Sequence, residues 1–297
     1  MSVPAAAGKH LAMKVCRTIA EYRAEIAGFR AAGESVGLVT TMGALHAGHM
    51  ALVERGMVEN DRVVTTIFVN PTQFGEASDL ENYPRPEAQD LDMFSSAGVD
   101  AVLIPSASEM YPEGDETIVE TTHLANVLHG LVRPGHFRGV ATVVTKLLNI
   151  AGPDRAYFGE KDYQQLAVIR RMVRDLHIPV QIIGVPTVRE PDGLAMSSRN
   201  VRLSPKDRRE ATVLNRCLTH AEILAARSDT AEHMRGDAEE MIRDQTSGRL
   251  CAFDIVDPDT FAPVTGPVTQ KIAIMMSVEF GEGDDAVLLI DQREIAP

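Results

Sequence analysis

Along the first two-thirds of the chain, apolar residues fall into two alternating textures. Short, unbroken, β-branched runs occur at "SVGLVTT" (35–41), "RVVTTIFVN" (62–70), "VDAVLIPS" (99–106), "RAYFG" (155–159) and "PVQIIGVPTV" (179–188). Between them lie stretches with helical spacing, at about 48–60, 85–98, 139–152 and 162–176, of which the second and third close on Gly98 and Gly152. Runs that are apolar on both faces and separated by helices predict a parallel sheet covered on both sides. The expected fold class is therefore α/β, a doubly wound parallel sheet, in which ligands bind beyond the carboxyl ends of the strands.

The texture changes at "REPDGLAMSSRN" (189–200), a polar loop containing Pro191 and Gly193. Beyond it, Ser204 and Pro205 suit the N-cap and first position of a helix, and a second helical segment covers about 230–245. "CAFDIVD", "KIAIMMSVEF" and "DAVLLID" then read as strands. Helices followed by a run of strands predict a smaller α+β domain. The expected division is 1–188 for a Rossmann-like domain and 189–297 for the smaller one, with no internal repeat.

Composition narrows the partners. The 297 residues, 44% hydrophobic and 24% charged, are enough for two domains of an ordinary globular protein. A net charge of −13 argues against a broad nucleic-acid or anionic-membrane surface, so an anionic ligand must be met by a local group of cations. Cys16, Cys217 and Cys251 are odd in number, far apart and free of CxxC spacing, which predicts a reducing compartment. The N-terminal stretch has no apolar leader core and no run reaches membrane-spanning length, so the expected location is the cytoplasm.

Candidate chemistry gathers in three clusters. In "TTMGALHAGHMALVERG" (40–56), Gly43 and Gly48 permit close approach of backbone to ligand, and a helix begins beside His46 and His49. Its free N–H groups suit phosphate, and the imidazoles can donate to phosphate oxygens. A structural pair on a helix face is the competing reading; a zinc site lacks nearby Cys, Asp or Glu partners. The second cluster, "RPGHFRGVATVV" with "FGEKDYQQLAVI", places Arg133, His136, Arg138 and Lys161 near strand ends. Lys161 sits between Glu160 and Asp162, a pattern that a solvated ion-pair run also explains. The third, "LAMSSRN", offers two hydroxyls and an arginine where a plain linker is the alternative. The chain carries no G-x-x-x-x-G-K-[ST] loop, no G-x-G-x-x-G after the first strand, no G-x-S-x-G and no H-E-x-x-H, so a nucleotide on this sheet must use the histidine loop.

The order of these clusters matches a family. "MGALHAGH" resembles the HIGH-type signature of nucleotidyltransferases and class I aminoacyl-tRNA synthetases, and "MSSRN" resembles the KMSKS-type loop that follows it. Between them, "FVNPTQF", "YPR", "RPGHFRG" and "FGEKDYQQL" are similar to the pantothenate synthetase family, ATP-dependent ligases that join pantoate to β-alanine. The match runs in order from about Val39 to Leu203. One departure is visible: the family pattern Pro-Thr-Met-Gly reads Thr40-Thr41-Met42-Gly43 here, so a threonine N–H and a free φ stand in place of proline.

The resemblance implies a two-step reaction. Pantoate attacks the α-phosphorus of ATP to give pantoyl adenylate and pyrophosphate, and β-alanine then displaces AMP. By position, His46 and His49 would sit against the triphosphate, with His49 the better candidate acid, and Lys161 would neutralise phosphate charge. Ser197, Ser198 and Arg199 would close over the phosphates, with Met196 beside them; Met42, Gly43, Gly48, Gly159, Glu160, Asp162 and Val188 would complete the ATP site. Gln73 and Gln165 would bind pantoate, joined by Asn70 and Met42, because amides donate and accept at once. Mg2+ is expected on the phosphates, with Asp90 as an outer contributor. The smaller domain would act as a lid, and a homodimer is expected. Another HIGH-motif adenylyltransferase is the alternative reading, and a non-catalytic nucleotide sensor is a rival from a different class.

Overall fold

The computed structural model describes residues 12–75, 80–283 and 286–297. Part of the N-terminal stretch read for a leader, and the first residue of the last predicted strand, lie outside these residues.

Six parallel strands form the larger sheet: β1 (Lys14–Cys16), β2 (Val36–Thr41), β3 (Arg62–Ile67), β4 (Ala101–Leu103), β5 (Arg155–Gly159) and β6 (Gln181–Val185). Their order is β1-β4-β3-β2-β5-β6. β2 lies in the middle, with Val39 opposite Thr65 on one side and Tyr157 on the other. The chain winds from β2 outward through β3 and β4, then returns to the other side of β2 for β5 and β6. The point of reversal, where a doubly wound sheet opens a crevice, is therefore at the carboxyl ends of β2 and β5.

Helices α1 (Ile19–Ala31), α2 (Ala47–Glu59), α3 (Glu87–Ala97), α4 (Ala107–Met110), α5 (His129–Val132), α6 (His136–Ala151) and α7 (Tyr163–Asp175) accompany this sheet. Leu52 and Val53 of α2 and Phe94 of α3 pack with Val39 and Tyr157 in one core. Tyr22 of α1, Leu147 and Leu148 of α6, and Leu166 and Ile169 of α7 fill the other with Leu38 and Phe158. α3 and α6 stop where glycine allows a left-handed residue, at Gly98 (φ +84°) and Gly152 (φ +52°). β1 and α1 were not anticipated. β1 is three residues long, and α1 buries only Tyr22 and Ile26, too few to show a stripe. Its start is set by a capping box instead: Thr18 Oγ1 accepts the Glu21 N–H at 3.2 Å, and the Glu21 carboxylate accepts that of Thr18 at 3.2 Å.

Strands end sooner than their apolar runs. The run 62–70 leaves the sheet at Ile67, and Asn70 caps a 3₁₀ turn at Pro71–Gln73. The helix predicted at 139–152 starts earlier, at His136, so His136 and Arg138 belong to its first turn, while Arg133 ends α5.

The second unit packs α8 (Pro205–Glu210), α9 (Val213–Ala225) and α10 (Ala231–Gln245) on an antiparallel sheet of β7 (Arg249–Val256), β8 (Ile272–Phe280) and β9 (Val287–Ile295). Ser204 caps α8 as expected, its Oγ accepting the Asp207 N–H at 3.1 Å, but the helical run breaks at Ala211 and Thr212. Leu214, Leu218, Phe253, Ile274 and Phe280 form its own core. Val256, Phe261, Ala273 and Met275 instead join the core of the larger unit. Across that seam, Tyr163 stacks on Phe261 at 5.7 Å and donates to Glu294 at 2.6 Å. Among the described residues no helix is long and apolar enough to cross a membrane.

Candidate active site

The carboxyl ends of β2, β3, β5 and β6 open into a cleft of about 980 Å³. Met275, Met276, Leu288, Ile290, Asp291 and Gln292 of β8 and β9 line it from the second unit. The volume is at the upper end of the range for small-molecule sites.

The loop after β2 is tied down by side chains, residue by residue. Thr41 Oγ1 accepts the Gly43 N–H at 3.2 Å and donates to the Thr66 carbonyl at 2.8 Å. Asp90 of α3 accepts the N–H groups of Ala44 and Leu45 at 2.9 and 2.8 Å. His49 Nδ1 accepts the His46 N–H at 3.3 Å, and His46 Nδ1 accepts that of Gly48 at 3.1 Å. The loop turns through left-handed backbone at Gly43 (φ +81°) and Ala44 (φ +51°). For alanine that conformation costs roughly 1–2 kcal/mol, which charge-assisted bonds to the neighbouring peptides offset.

These bonds also set the chemistry of the histidines. With Nδ1 accepting on each ring, the neutral imidazoles carry their protons on Nε2. Burial, reinforced by Lys161, pushes His46 down to about 4; burial, then His46 and Lys161, pushes His49 down to about 3. At neutral pH the pair consists of two uncharged donors with ring centroids 4.1 Å apart. His49 thus meets the cleft as a neutral hydrogen-bond donor.

Cations face this loop. Lys161 follows β5 in the depth of the cleft, where burial first, opposed by Asp162 and reinforced by Arg199, lowers its pKa. Among the described residues no carboxylate lies within ion-pair distance of it. The loop after residue 195 supplies Met196, Ser197, Ser198 and Arg199 to the cleft wall. Ser197 Oγ accepts the Arg199 N–H at 3.2 Å, and the Arg199 guanidinium reaches the Leu288 carbonyl at 3.3 Å. Upstream, Arg189 grips Asp291 with two bonds of 2.6 and 2.9 Å, the Asp291 side chain being 1% exposed. Asp162, Gly159 and Val188 also line the cleft.

Amides line the same cleft. Gln73 Nε2 meets Met42 Sδ at 3.3 Å, a weak contact that leaves donor capacity toward the cavity, which Gln165 also lines. Asn70 lines the cavity too, but its amide is committed to the protein. Its Nδ2 donates to Gln73 Oε1 (3.0 Å) and the Gly139 carbonyl (3.2 Å), while Oδ1 accepts from the hydroxyls of Thr72 (3.0 Å) and Tyr111 (2.8 Å). Asn70 therefore holds Gln73 in place.

Three expected residues stand apart from the cleft wall. Gly43 provides the turn. Glu160 points toward Arg170 beside Gly184. Asp90, expected near the metal, has both carboxylate oxygens on loop N–H groups and is 1% exposed.

Arg133 and His136 of the second cluster line the cleft, and with them stand Tyr83 and His129, which the sequence did not single out. His136 Nδ1 donates to the Gln73 carbonyl at 2.9 Å, and burial with Arg133 holds the ring near 4. Gln164 fixes the segment that carries His129: its Nε2 donates to the carbonyls of Leu124 (2.9 Å) and Val127 (2.8 Å), and Oε1 accepts the His129 N–H at 3.1 Å.

A cleft lined by neutral imidazole donors, a lysine, an arginine and amides fits the joining of an acid to a nucleotide. The family model described as pantoate-beta-alanine ligase matches residues 14–294. The chain belongs to the pantoate–β-alanine ligase family. It is 50% identical over 289 residues to a pantothenate synthetase of Sinorhizobium medicae, covering 96% of this chain and 97% of the relative. A crystal structure of pantothenate synthetase from Thermus thermophilus superposes with a TM-score of 0.87 at 46% identity, covering 96% and 100% of the two chains. A pantoate-beta-alanine ligase from Francisella tularensis, solved with beta-gamma ATP and beta-alanine, gives 0.77 at 34% identity, covering 95% and 97%. Where the family pattern begins with proline, this ligase-family chain has a threonine pair: Thr40 lines the cleft, and the Thr41 hydroxyl belongs to the loop network.

Proposed function

We propose that the chain condenses pantoate with β-alanine in two steps at this one cleft, through a pantoyl adenylate. The observation that carries the reading is one cleft lined together by neutral His46 and His49, by Lys161, and by the amides of Gln73 and Gln165. The pantoate carboxylate and the ATP triphosphate repel, so the protein's task is to hold them together. Gln73 and Gln165 bind the hydroxyls and carboxylate of pantoate, with Asn70 and His136 fixing Gln73. Lys161 and Arg199 offset the charge on the phosphates, and the Nε2–H groups of His46 and His49 follow that charge onto departing pyrophosphate. Orientation supplies about 7–11 kcal/mol and a single well-placed donor about 2.7–4 kcal/mol, so no protein nucleophile is required.

Among the described residues no group of three or more His, Cys, Asp or Glu side chains could hold a metal ion. That suits Mg2+ arriving on the phosphates, with Asp162 the nearby cleft-lining carboxylate, since Mg2+ keeps much of its water and phosphate ligation. When bound it would supply further neutralisation of phosphate charge. The unit that contains β8 and β9 would serve as a lid against water, and the division at residues 188 and 189 places the connecting loop at its edge. A cytoplasmic homodimer follows from the family resemblance, and sedimentation equilibrium measures the assembly.

Pantoate labelled with ¹⁸O in its carboxyl group tests the route. The adenylate mechanism places one label in AMP. Label appearing in inorganic phosphate together with ADP would overturn it, and transfer of AMP into the final product would favour the adenylyltransferase alternative.

A further inference from the structure

Among the described residues, the side chains that accept the backbone N–H groups of the loop between β2 and α2 belong, with one exception, to the loop or to the residues that flank it. Thr41 holds Gly43, His49 holds His46, and His46 holds Gly48. The exception is Asp90, which reaches in from the first turn of α3 with its two oxygens on the successive N–H groups of Ala44 and Leu45. Successive N–H groups around left-handed residues form a concave anion-binding nest, and here the anion is a buried side chain. An added Cβ on Gly43 would lie 2.8 Å from Asp90 Oδ2, so carboxylate and turn are fitted to each other.

We propose that Asp90 is a positioning residue for adenylation, which fixes the loop so that the Nε2–H groups of His46 and His49 meet the phosphates. The inference rests on the phosphate-facing role proposed above for the two histidines. Asp90 is buried behind the cleft wall with both oxygens on the loop, so it acts through the peptides that precede His46. Asparagine is close in shape but presents an amide N–H to one of the two loop N–H groups. Asp90→Asn therefore loses one bond and opposes two donors, which frees the turn at Ala44.

The test compares the full-length chain with Asp90→Asn and with Asp90→Asn/Ala44→Gly, because glycine adopts the left-handed turn without strain. Asp90→Asn should lower kcat about 10²-fold, the cost of a misplacement of roughly 1 Å. KM for β-alanine and the Mg2+ concentration for half-maximal rate should stay within about twofold of the parent. The double variant should regain several-fold of the lost kcat. Independently of any substrate, the ¹⁵N imidazole signals of His46 and His49 should lose the pattern of an accepting Nδ1 and a protonated Nε2. Unchanged imidazole signals in Asp90→Asn would overturn the positioning role whatever the reaction proves to be. Recovery of kcat by excess Mg2+ would overturn it in favour of a metal-linked carboxylate. Altered imidazoles with unchanged kcat would leave Asp90 as anchor and remove the histidines from the rate-determining chemistry, which would contradict the proposal as stated.

Discussion

The two loops that meet at the cleft, the histidine loop and the serine–arginine loop, are built differently. The histidine loop sits between β2 and α2 of the central sheet, and its N–H groups at 43, 44, 45, 46 and 48 each meet a side chain of the same unit. The serine–arginine loop is held by β9 and the residue just before it: Arg199 holds the Leu288 carbonyl, Arg202 holds that of Ala286 at 3.4 Å, and Arg189 holds Asp291. One loop is thus pinned by the central sheet and α3, whereas the other is pinned by a strand of the second unit. A reaction that needs exact phosphate geometry and then protection of a mixed anhydride is served by that division.

Substitutions can break the contrast from either side. The largest effect is expected at Lys161, which has a catalytic charge to lose but, among the described residues, no ion pair. Lys161→Ala should cost about 10²–10³ in kcat with the melting temperature held, as read by steady-state assay and calorimetry; near-normal turnover would remove its charge-neutralising role. Next comes the clamp. Asp291→Ala strands Arg189 beside a buried position and should destabilise by about 3 kcal/mol in urea titration, with a larger loss in β-alanine-dependent turnover than in pyrophosphate formation.

A smaller effect sharpens the picture of the prebuilt wall. The folded pKa values of His46 and His49, about 4 and about 3, lie below the ordinary 6.5. As pH falls below 6.5, the unfolded chain takes up protons that the folded site refuses, so stability declines from there toward pH 4 and 3. The slope is at most about 1.4 kcal/mol per pH unit per ring. His49→Asn should flatten that decline in denaturant titrations between pH 6.5 and pH 4, and an unaltered slope would mean the ring is not buried neutral. The smallest effect is expected at Gln73→Leu, which should raise KM for pantoate about tenfold, one hydrogen bond's worth, with KM for ATP little changed.

Much of this was legible from pattern. Unbroken Val and Ile runs between helices gave the parallel sheet, and His46, His49, Lys161 and the serine–arginine loop fall on its crevice because ligand loops follow strand ends. What the sequence hid were side chains whose partners are distant in the chain. Asp90 reads as an outer contributor to Mg2+; only the fold brings it to Ala44 and Leu45, some 45 residues earlier. Asn70 reads as a substrate amide until its bonds to Tyr111 and Gly139 appear. Asp291 lies within a run of strand residues, and nothing local announces Arg189. Glu160 shows the limit of adjacency: it neighbours Lys161 in sequence but turns toward Arg170.

The most direct test of the central claim is a rapid-quench measurement of pyrophosphate and AMP with ATP, Mg2+ and pantoate, and with β-alanine withheld. The account predicts a burst of pyrophosphate equal to the concentration of sites, with AMP retained until β-alanine is added. No pyrophosphate before β-alanine, or AMP released alongside it in β-alanine's absence, would contradict a prebuilt phosphate wall working under a protective clamp.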